Sequence, residues 1–332
     1  MTQRQQLLVG LGVGCLAFTW CAVQAPIHGR AWFDFQRTGG DFYQIWLLAR
    51  ALISGANPYV IGCPFSPPCA QGPQYYPATA GAAVLPFGLL PAGTAAALFV
   101  GLSAGLLGYA IARTGLWRAP MLLSWPFVVA VGNGQWAPLL VAAALLPGMQ
   151  WLYVVKPQLG LALWCYRPSW RAVVGGALLL VVSLILMPSW PLQWWAAASH
   201  SPYVRSPLRW AWFAPVLLAA ALRWKTPEGR LLLAMAILPQ TPFAYDQLAL
   251  WLVPRTHREG LFLTYCSWFQ LAAWWMLSGF DWRAGTVVLT SWAPYLIAGL
   301  YLPCLVMVLR RANTAETIGA ARAAATPSAS AA

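Results

Sequence analysis

The sequence predicts an all-α protein that crosses a membrane many times. Only 8% of its 332 residues are charged, whereas soluble domains carry roughly 25%. Hydrophobic residues make up 60% of the chain, together with 21 tryptophans, 28 glycines and 27 prolines. Integral membrane proteins tolerate Gly and Pro in their helices and place Trp at the two interfaces. We therefore expect a polytopic helical bundle.

The apolar runs place the predicted passes. The first run, 7–25, ends in "VQA" before Pro26, which resembles a signal-peptide cleavage site. The run is long for a signal peptide, and we expect it to be retained as a helix. We treat residues 1–311 as one transmembrane domain with a first outer loop at about 26–91, and 312–332 as a flexible cytoplasmic tail. The later apolar runs are 93–112, 119–131, 136–147, 151–155, 159–166, 172–187, 210–222, 231–238, 247–253, 261–277 and 286–309. If each half of a broken run counts as a pass, about 10–12 passes are expected.

The lysines and arginines predict the orientation, because cytoplasmic loops are rich in them. Most of the 20 basic residues fall on the inner side if the N-terminus is cytoplasmic. We therefore expect both termini in the cytoplasm and the protein in the plasma membrane. The net charge of +13 does not indicate nucleic-acid binding, since the basic residues occur in ones and twos between apolar runs. In this orientation the aspartates (34, 41, 246 and 281) fall outside and the glutamates (228, 259 and 316) inside, so we expect any chemistry at the outer face.

One stretch of the first outer loop, "GGDFYQIWLLARALISGANPY" at 39–59, predicts an amphipathic helix. Apolar residues recur at helical spacing, and Gly55 suits the C-terminal end. Asp41 stands where an N-cap is expected. The carboxylate can cap the helix or serve a site, and the two roles can coexist.

Further polar breaks interrupt the apolar runs on the outer side. They are "QYYP" at 74–77, "GNGQ" at 132–135, "KPQ" at 156–158, "SHSPYVRSPLR" at 199–209 and "PFAYDQ" at 242–247. An ionisable group at membrane depth is a candidate for function, and we expect these breaks to line one outward-facing cavity. Each residue also has an ordinary role: Lys156 can snorkel to the interface, Gln135 can satisfy broken backbone, Arg205 and Arg209 can bind lipid headgroups, His200 can be a surface residue, and Asp246 can pair with a neighbouring cation.

Two local features complete the outer side. "WPLQWWAAA" from Trp190 predicts a helix lying in the membrane interface, which could also guide a lipid-linked substrate. Cys63 and Cys69, in the loop "CPFSPPC", could form a small disulfide in an oxidising compartment. The sequence has no DxD, no P-loop and no HExxH motif. We therefore expect neither a metal site nor a cofactor.

Taken in order, several segments resemble the glycosyltransferase family 87 membrane proteins, whose best-known members are polyprenol-phosphate-mannose-dependent α-mannosyltransferases. The segments are "GGDFYQIWLLARALISGANPY", "YYP" before "LPFGLLP", "GNGQWAPLL", "KPQLGL" before "RPSWRA", and "FAYDQLALWLVP". The resemblance extends to about Pro254. It implies a GT-C helical bundle with an outer active site, a polyprenyl-phosphate-linked sugar as donor, and metal-independent inverting transfer. An acid in the first outer loop is then the base, which maps onto Asp41.

The residues fit that chemistry. Cations can hold the leaving phosphate, and a carboxylate can take the proton of the acceptor hydroxyl. Asp34 is the second candidate for the base. The alternatives are a flippase or transporter of a lipid-linked saccharide and a non-catalytic membrane subunit, although no clear inverted repeat supports transport. The phosphate candidates are Lys156, Arg205, Arg209 and His200, and the candidates for binding sugar or acceptor are Tyr43, Gln44, Asn57, Tyr75, Tyr76, Gln135, Tyr245 and Asp246.

Overall fold

The expected all-α class is confirmed for residues 1–27, 41–59, 74–199, 204–277 and 289–311, which a computed structural model describes. Across these ranges the only β-type pairing is an isolated antiparallel bridge between Arg205 and Gln240. The predicted tail at 312–332 lies outside the described residues. The α-helices are α1 (Gln3–Ile27), α2 (Phe42–Ser54), α3 (Ala78–Ala83), α4 (Ala92–Thr114), α5 (Trp125–Gly132), α6 (Ala137–Leu145), α7 (Pro157–Tyr166), α8 (Trp170–Leu186), α9 (Trp190–Ser199), α10 (Pro227–Ile237), α11 (His257–Leu277), α12 (Leu289–Leu296) and α13 (Leu302–Leu309).

Short 3₁₀ helices separate many of the α-helices. The main ones span Leu116–Leu123, Gln150–Val155, Ala214–Arg223 and Ala244–Leu252. The predicted run 119–131 is divided at Ser124, whose Oγ accepts from Phe127 N at 3.3 Å and so begins α5. A 3₁₀ helix rises about 2.0 Å per residue against 1.5 Å for an α-helix. A short segment in this conformation therefore covers more of the bundle than its length suggests.

Helices α1 and α4 pack closely through glycines. A Cβ on Gly14 would lie 2.8 Å from the carbonyl oxygen of Gly101, and one on Gly105 would lie 3.1 Å from that of Gly10. Small residues four apart allow helix backbones to approach in this way, which is a common contact between membrane helices. The first run is therefore a helix of the bundle.

Three segments of the described chain are long and apolar enough to cross a membrane: Gln3–Ala22, Ala92–Thr114 and Trp292–Leu309. Two bent pairs raise the number to five, α5 with α6 at 120° and α8 with α9 at 102°. These helices are consistent with a helical membrane protein. The larger number of passes treats each broken half as a pass and stays a prediction.

Two polar clusters lie at opposite ends of the 3₁₀ helix Ala244–Leu252. Asp246 is in its first turn, and Arg255 follows its end. At that second end Arg255 binds Glu228 through two contacts of 2.8 Å, and Arg311 binds Glu259 at 2.9 Å. Burial opposes ionisation of Glu228, but the bonds and charge of the two arginines hold its pKa below the ordinary value. The described aspartates and glutamates thus lie towards different ends of this helix, and which end faces outwards stays a prediction.

Candidate functional site

Asp41 stands at the N-cap position of α2 but does not cap it. Its φ and ψ are −68° and −20°, and its side chain makes no capping hydrogen bond. The carboxylate Oδ2 instead accepts from Gln135 Nε2 and, at 3.3 Å, from the Tyr245 hydroxyl. The capping interpretation is therefore wrong for the carboxylate, because the helical backbone at Asp41 points it towards other segments. Gly55 ends the helix as expected, with a positive φ of 70°.

The break at 132–135 brings Gln135 to Asp41. Gly134 has a φ of 61°, which reverses the chain after α5, and Asn133 O accepts from the Asp41 backbone N–H at 3.0 Å. The buried Gln135 amide joins two groups: its Nε2 donates to Asp41, while its Oε1 accepts from the Tyr76 hydroxyl at 3.3 Å. Gln135 thus links side chains, and the side chain that binds broken backbone here is Asn133, which donates to Val129 O at 2.8 Å.

Lys156 and Asp246 form an enclosed ion pair. Nζ lies 2.5 Å from Asp246 Oδ1, and the two side chains are 6% and 0% exposed. Lys156 also donates to Gln135 Oε1 at 3.4 Å, and its ammonium lies 5.1 Å from the centre of the Tyr245 ring and 6.0 Å from that of Tyr76. Lys156 therefore does not snorkel to the surface. The expectation that Asp246 pairs with a neighbouring cation is confirmed.

We name Asp41, Tyr76, Gln135, Lys156, Tyr245 and Asp246 the outer cluster, after the side of the membrane that the sequence predicts for them. It holds two carboxyl groups and one ammonium group. Burial raises the pKa of Asp41, whereas the charge of Lys156 and the hydrogen bonds from Tyr245 and Gln135 lower it, and the net result lies above the ordinary value of 3.8. A carboxylate with a raised pKa accepts a proton more readily.

The two tyrosines of the outer cluster stay protonated. Burial and the nearby carboxylates raise the pKa of both Tyr76 and Tyr245 well above the ordinary value of 10.0. Each hydroxyl can therefore act as a hydrogen-bond donor at neutral pH.

Other predicted sugar-binding residues have structural contacts. The Tyr43 ring stacks on Trp46 at 5.4 Å, and the Gln44 carbonyl accepts from Gln74 at 2.8 Å. Asn57 accepts from Tyr59 N at 3.0 Å, so its side chain stabilises a turn. The Tyr75 carbonyl accepts from the Trp194 indole at 2.9 Å. None of these contacts brings the four residues into the outer cluster.

Two of the predicted phosphate-binding cations lie at the surface. Arg205 and Arg209 are exposed. The backbone of Arg205 pairs with Gln240 through two hydrogen bonds, of 3.0 and 2.9 Å, which places it beside the segment that precedes Asp246. Arg209 ends a short 3₁₀ turn, Pro207–Arg209. The predicted residues that lie outside the described part of the chain are Asp34, Cys63, Cys69 and His200.

Sequence reasoning missed the residues behind Asp246. The Thr241 hydroxyl donates to Asp246 Oδ2 at 2.6 Å, and the Tyr301 hydroxyl donates to Gln247 Oε1 at 2.5 Å. Gln247 belongs to the same polar break as Asp246 and Thr241 directly precedes that break, which was the available signal. Tyr301 gave none, because it lies within a long apolar run.

Comparison with protein-family models, with curated proteins and with solved structures gave no match to this chain. Among the described residues, no group of three or more His, Cys, Asp or Glu side chains could hold a metal ion.

Proposed function

We propose that the protein is a membrane glycosyltransferase that moves a hexose from a polyprenyl-phosphate-linked donor to a lipid or glycan acceptor at the outer face. One observation carries the proposal. The Asp41 carboxylate is turned away from its own helix and receives hydrogen bonds from Gln135 and Tyr245, beside the charge of Lys156. Mannose is the sugar that the family resemblance implies.

In this proposal Asp41 is the general base. The acceptor hydroxyl attacks the anomeric carbon from the face opposite the leaving group, and its proton passes to Asp41. The bond from the anomeric carbon to the phosphate oxygen breaks, and the polyprenyl phosphate leaves with the electron pair. The raised pKa of Asp41 favours the proton transfer. Inversion at the sugar follows from a single displacement.

The leaving phosphate needs positive charge. An ammonium group has three donors, and Lys156 uses two of them on Asp246 and Gln135. The third donor can bond to a phosphate oxygen, in line with the predicted role. Arg205 and Arg209 are exposed and can reach a lipid-linked phosphate at the edge of the site. His200 keeps its predicted role in the same segment.

Helix α9 supports a lipid-linked donor. It bends by 102° from α8, and Leu192 and Trp195 are 81% and 67% exposed. Trp194 binds the backbone of Tyr75, next to Tyr76 of the outer cluster. A helix with exposed Leu and Trp side chains is suited to lie in the membrane interface, where it would guide the polyprenyl chain towards the cluster.

The test is sugar transfer by the purified full-length protein in lipid nanodiscs. Labelled polyprenyl-phosphate mannose, and then other hexoses, are offered with extracts of lipid and glycan acceptors. We expect new glycosidic bonds, and Asp41→Asn should reduce their rate by about 100-fold or more. Arg50→Gln, on the exposed face of the same helix, is the matched control and should keep the rate.

Other outcomes point to the alternatives. Full activity of a properly folded Asp41→Asn would exclude Asp41 as the base. Movement of intact lipid-linked sugar across the bilayer, without a new glycosidic bond, would favour a flippase. Full activity of a partner complex after removal of both Asp34 and Asp41 would favour a non-catalytic subunit.

A further inference from the structure

A chain of hydrogen bonds runs behind the outer cluster. Tyr301 donates to Gln247 Oε1 at 2.5 Å, and Gln247 Nε2 donates to the Thr241 carbonyl at 3.3 Å. The Thr241 hydroxyl then donates to Asp246 Oδ2 at 2.6 Å, while Asp246 Oδ1 receives Lys156 at 2.5 Å. The chain connects the C-terminal helical run to Lys156, which contacts Gln135.

The middle of this chain of hydrogen bonds lies in residues 241–243, which precede the 3₁₀ helix Ala244–Leu252 and are not helical. Gln247 Nε2 also donates to the Phe243 carbonyl at 3.2 Å, so one amide group serves two carbonyls of the segment before the 3₁₀ helix. Gln247 is fully buried. A buried amide group is costly to leave without partners, so its geometry is well determined.

The far end of the chain is a π-helical turn, Ile297–Tyr301. Such a turn contains one extra residue and redirects the side chains around it, and π turns often occur at functional sites. The fully buried Tyr301 ring packs edge-on against Trp210 at 6.1 Å, which fixes the direction of its hydroxyl. The local irregularity therefore coincides with the residue that meets Gln247.

Asp246 depends on Thr241 for its orientation. One carboxylate oxygen pairs with Lys156 and the other accepts from Thr241. Without the hydroxyl, the carboxylate can rotate about its terminal torsion, which is soft in aspartate. The ion pair would then lose its fixed direction.

We propose that Thr241, Gln247 and Tyr301 are positioning residues that hold Asp246 and, through it, keep the Lys156 ammonium between the Tyr76 and Tyr245 rings and against Gln135. The effect on catalysis rests on the proposed function. The placement of Lys156 does not, and it can be measured without any turnover.

The chain offers an internal reference for that measurement, because it contains two lysines. Lys156 is buried in the ion pair, whereas Lys225 is exposed. Acetic anhydride reacts with an amine that is deprotonated and accessible. A short pulse on the full-length protein in nanodiscs, followed by mass spectrometry, gives the acetylation of Lys156 relative to Lys225 in the same sample.

The variants separate positioning from general loosening. Thr241→Val removes the hydroxyl at nearly constant volume, and it should raise the Lys156 to Lys225 ratio by about ten-fold, the size expected for loss of one hydrogen bond to a charged group. Tyr301→Phe breaks the far end of the chain and should raise the ratio by about three-fold. Thr241→Ser keeps the hydroxyl and should restore the low ratio. Tyr295→Phe, in the same helical run but outside the chain of hydrogen bonds, is the matched control and should leave the ratio unchanged.

The activity of the same samples adds the catalytic part. Thr241→Val should lower kcat with KM almost unchanged, and Thr241→Ser should recover kcat. An unchanged acetylation ratio in Thr241→Val overturns the inference whatever the activity, and so does an equal rise in Tyr295→Phe. If Thr241→Val does not fold, the Tyr301→Phe ratio decides. A wild-type protein without transfer activity would refute the proposed function, and the acetylation ratios would still decide the placement of Lys156.

Discussion

Substitutions of Lys156 and Asp246 should be strongly coupled in their effects on the free energy of unfolding. Both side chains are almost wholly enclosed, at 6% and 0% exposed, and their charged atoms are 2.5 Å apart. Removing one partner from such a pair leaves an uncompensated buried charge, at a cost of about 3–5 kcal/mol. We therefore expect Lys156→Met and Asp246→Asn each to lower the free energy of unfolding by about that amount.

The double variant should be much less damaging than the two single variants suggest. Replacing a buried pair with neutral groups of similar size is often nearly neutral. Lys156→Met combined with Asp246→Asn should therefore lie within about 2 kcal/mol of the wild type, which corresponds to a coupling energy of several kcal/mol.

The assay is equilibrium unfolding in mixed micelles, followed by the fluorescence of the 21 tryptophans. Lys225→Met, at the exposed lysine, is the matched control and should change the free energy of unfolding by less than about 0.5 kcal/mol. Strictly additive single changes, or single changes below about 1 kcal/mol, would refute the buried pair as an energetic unit.

Three further predictions concern other parts of the molecule. Because burial raises the pKa of Asp41 above 3.8, Asp41 should become protonated, and the transfer rate should fall, at pH values still above 3.8. A pH–rate profile that stays flat down to about pH 4 would contradict the role of Asp41 as base. Gly14→Ala should destabilise the protein by about 1–3 kcal/mol, since the new Cβ would lie 2.8 Å from a carbonyl oxygen of α4. A Cβ on Gly12 would have no atom within 4 Å, so Gly12→Ala is the control and should have no such effect in the same unfolding assay. Arg311→Ala should lower the free energy of unfolding by about 2–3 kcal/mol, because Arg311 is 12% exposed and binds Val253 O and Glu259 at 2.9 Å each. Arg310 is exposed, so Arg310→Ala is the control and should change it by less than about 0.5 kcal/mol. Equal effects of the two substitutions would refute the ion network.

Polar breaks in apolar runs were informative about the site. "GNGQ", "KPQ", "QYYP" and "PFAYDQ" supplied Gln135, Lys156, Tyr76, Tyr245 and Asp246, which the structure brings together. The reason is physical, since buried polar groups in an apolar protein must find one another to be satisfied. When an apolar sequence contains few polar residues between its apolar runs, those residues are therefore the ones expected to contact one another.

The helix types could not be predicted in the same way. Residues 244–252 and 214–223 form 3₁₀ helices, and an apolar run has the same composition in either form. The difference depends on the packing of each short segment against its neighbours, to which local periodicity is insensitive. Tyr301 was missed for a related reason, because a tyrosine in an apolar run gives no sign that its hydroxyl has a buried partner.

Asp41 shows why a capping signal cannot by itself decide a function. A helix start favours Asp because its carboxylate can bind the free backbone N–H groups, and that bond normally requires an extended backbone at the cap. Asp41 has helical torsions, so its carboxylate is not used by α2 and is free to meet Gln135 and Tyr245. The sequence is the same in both cases. The deciding factors are the chain reversal at Gly134, which brings Gln135 to the carboxylate, and the 3₁₀ helix Ala244–Leu252, which brings Tyr245. Asp41 is thus a candidate base because its carboxylate does not cap α2.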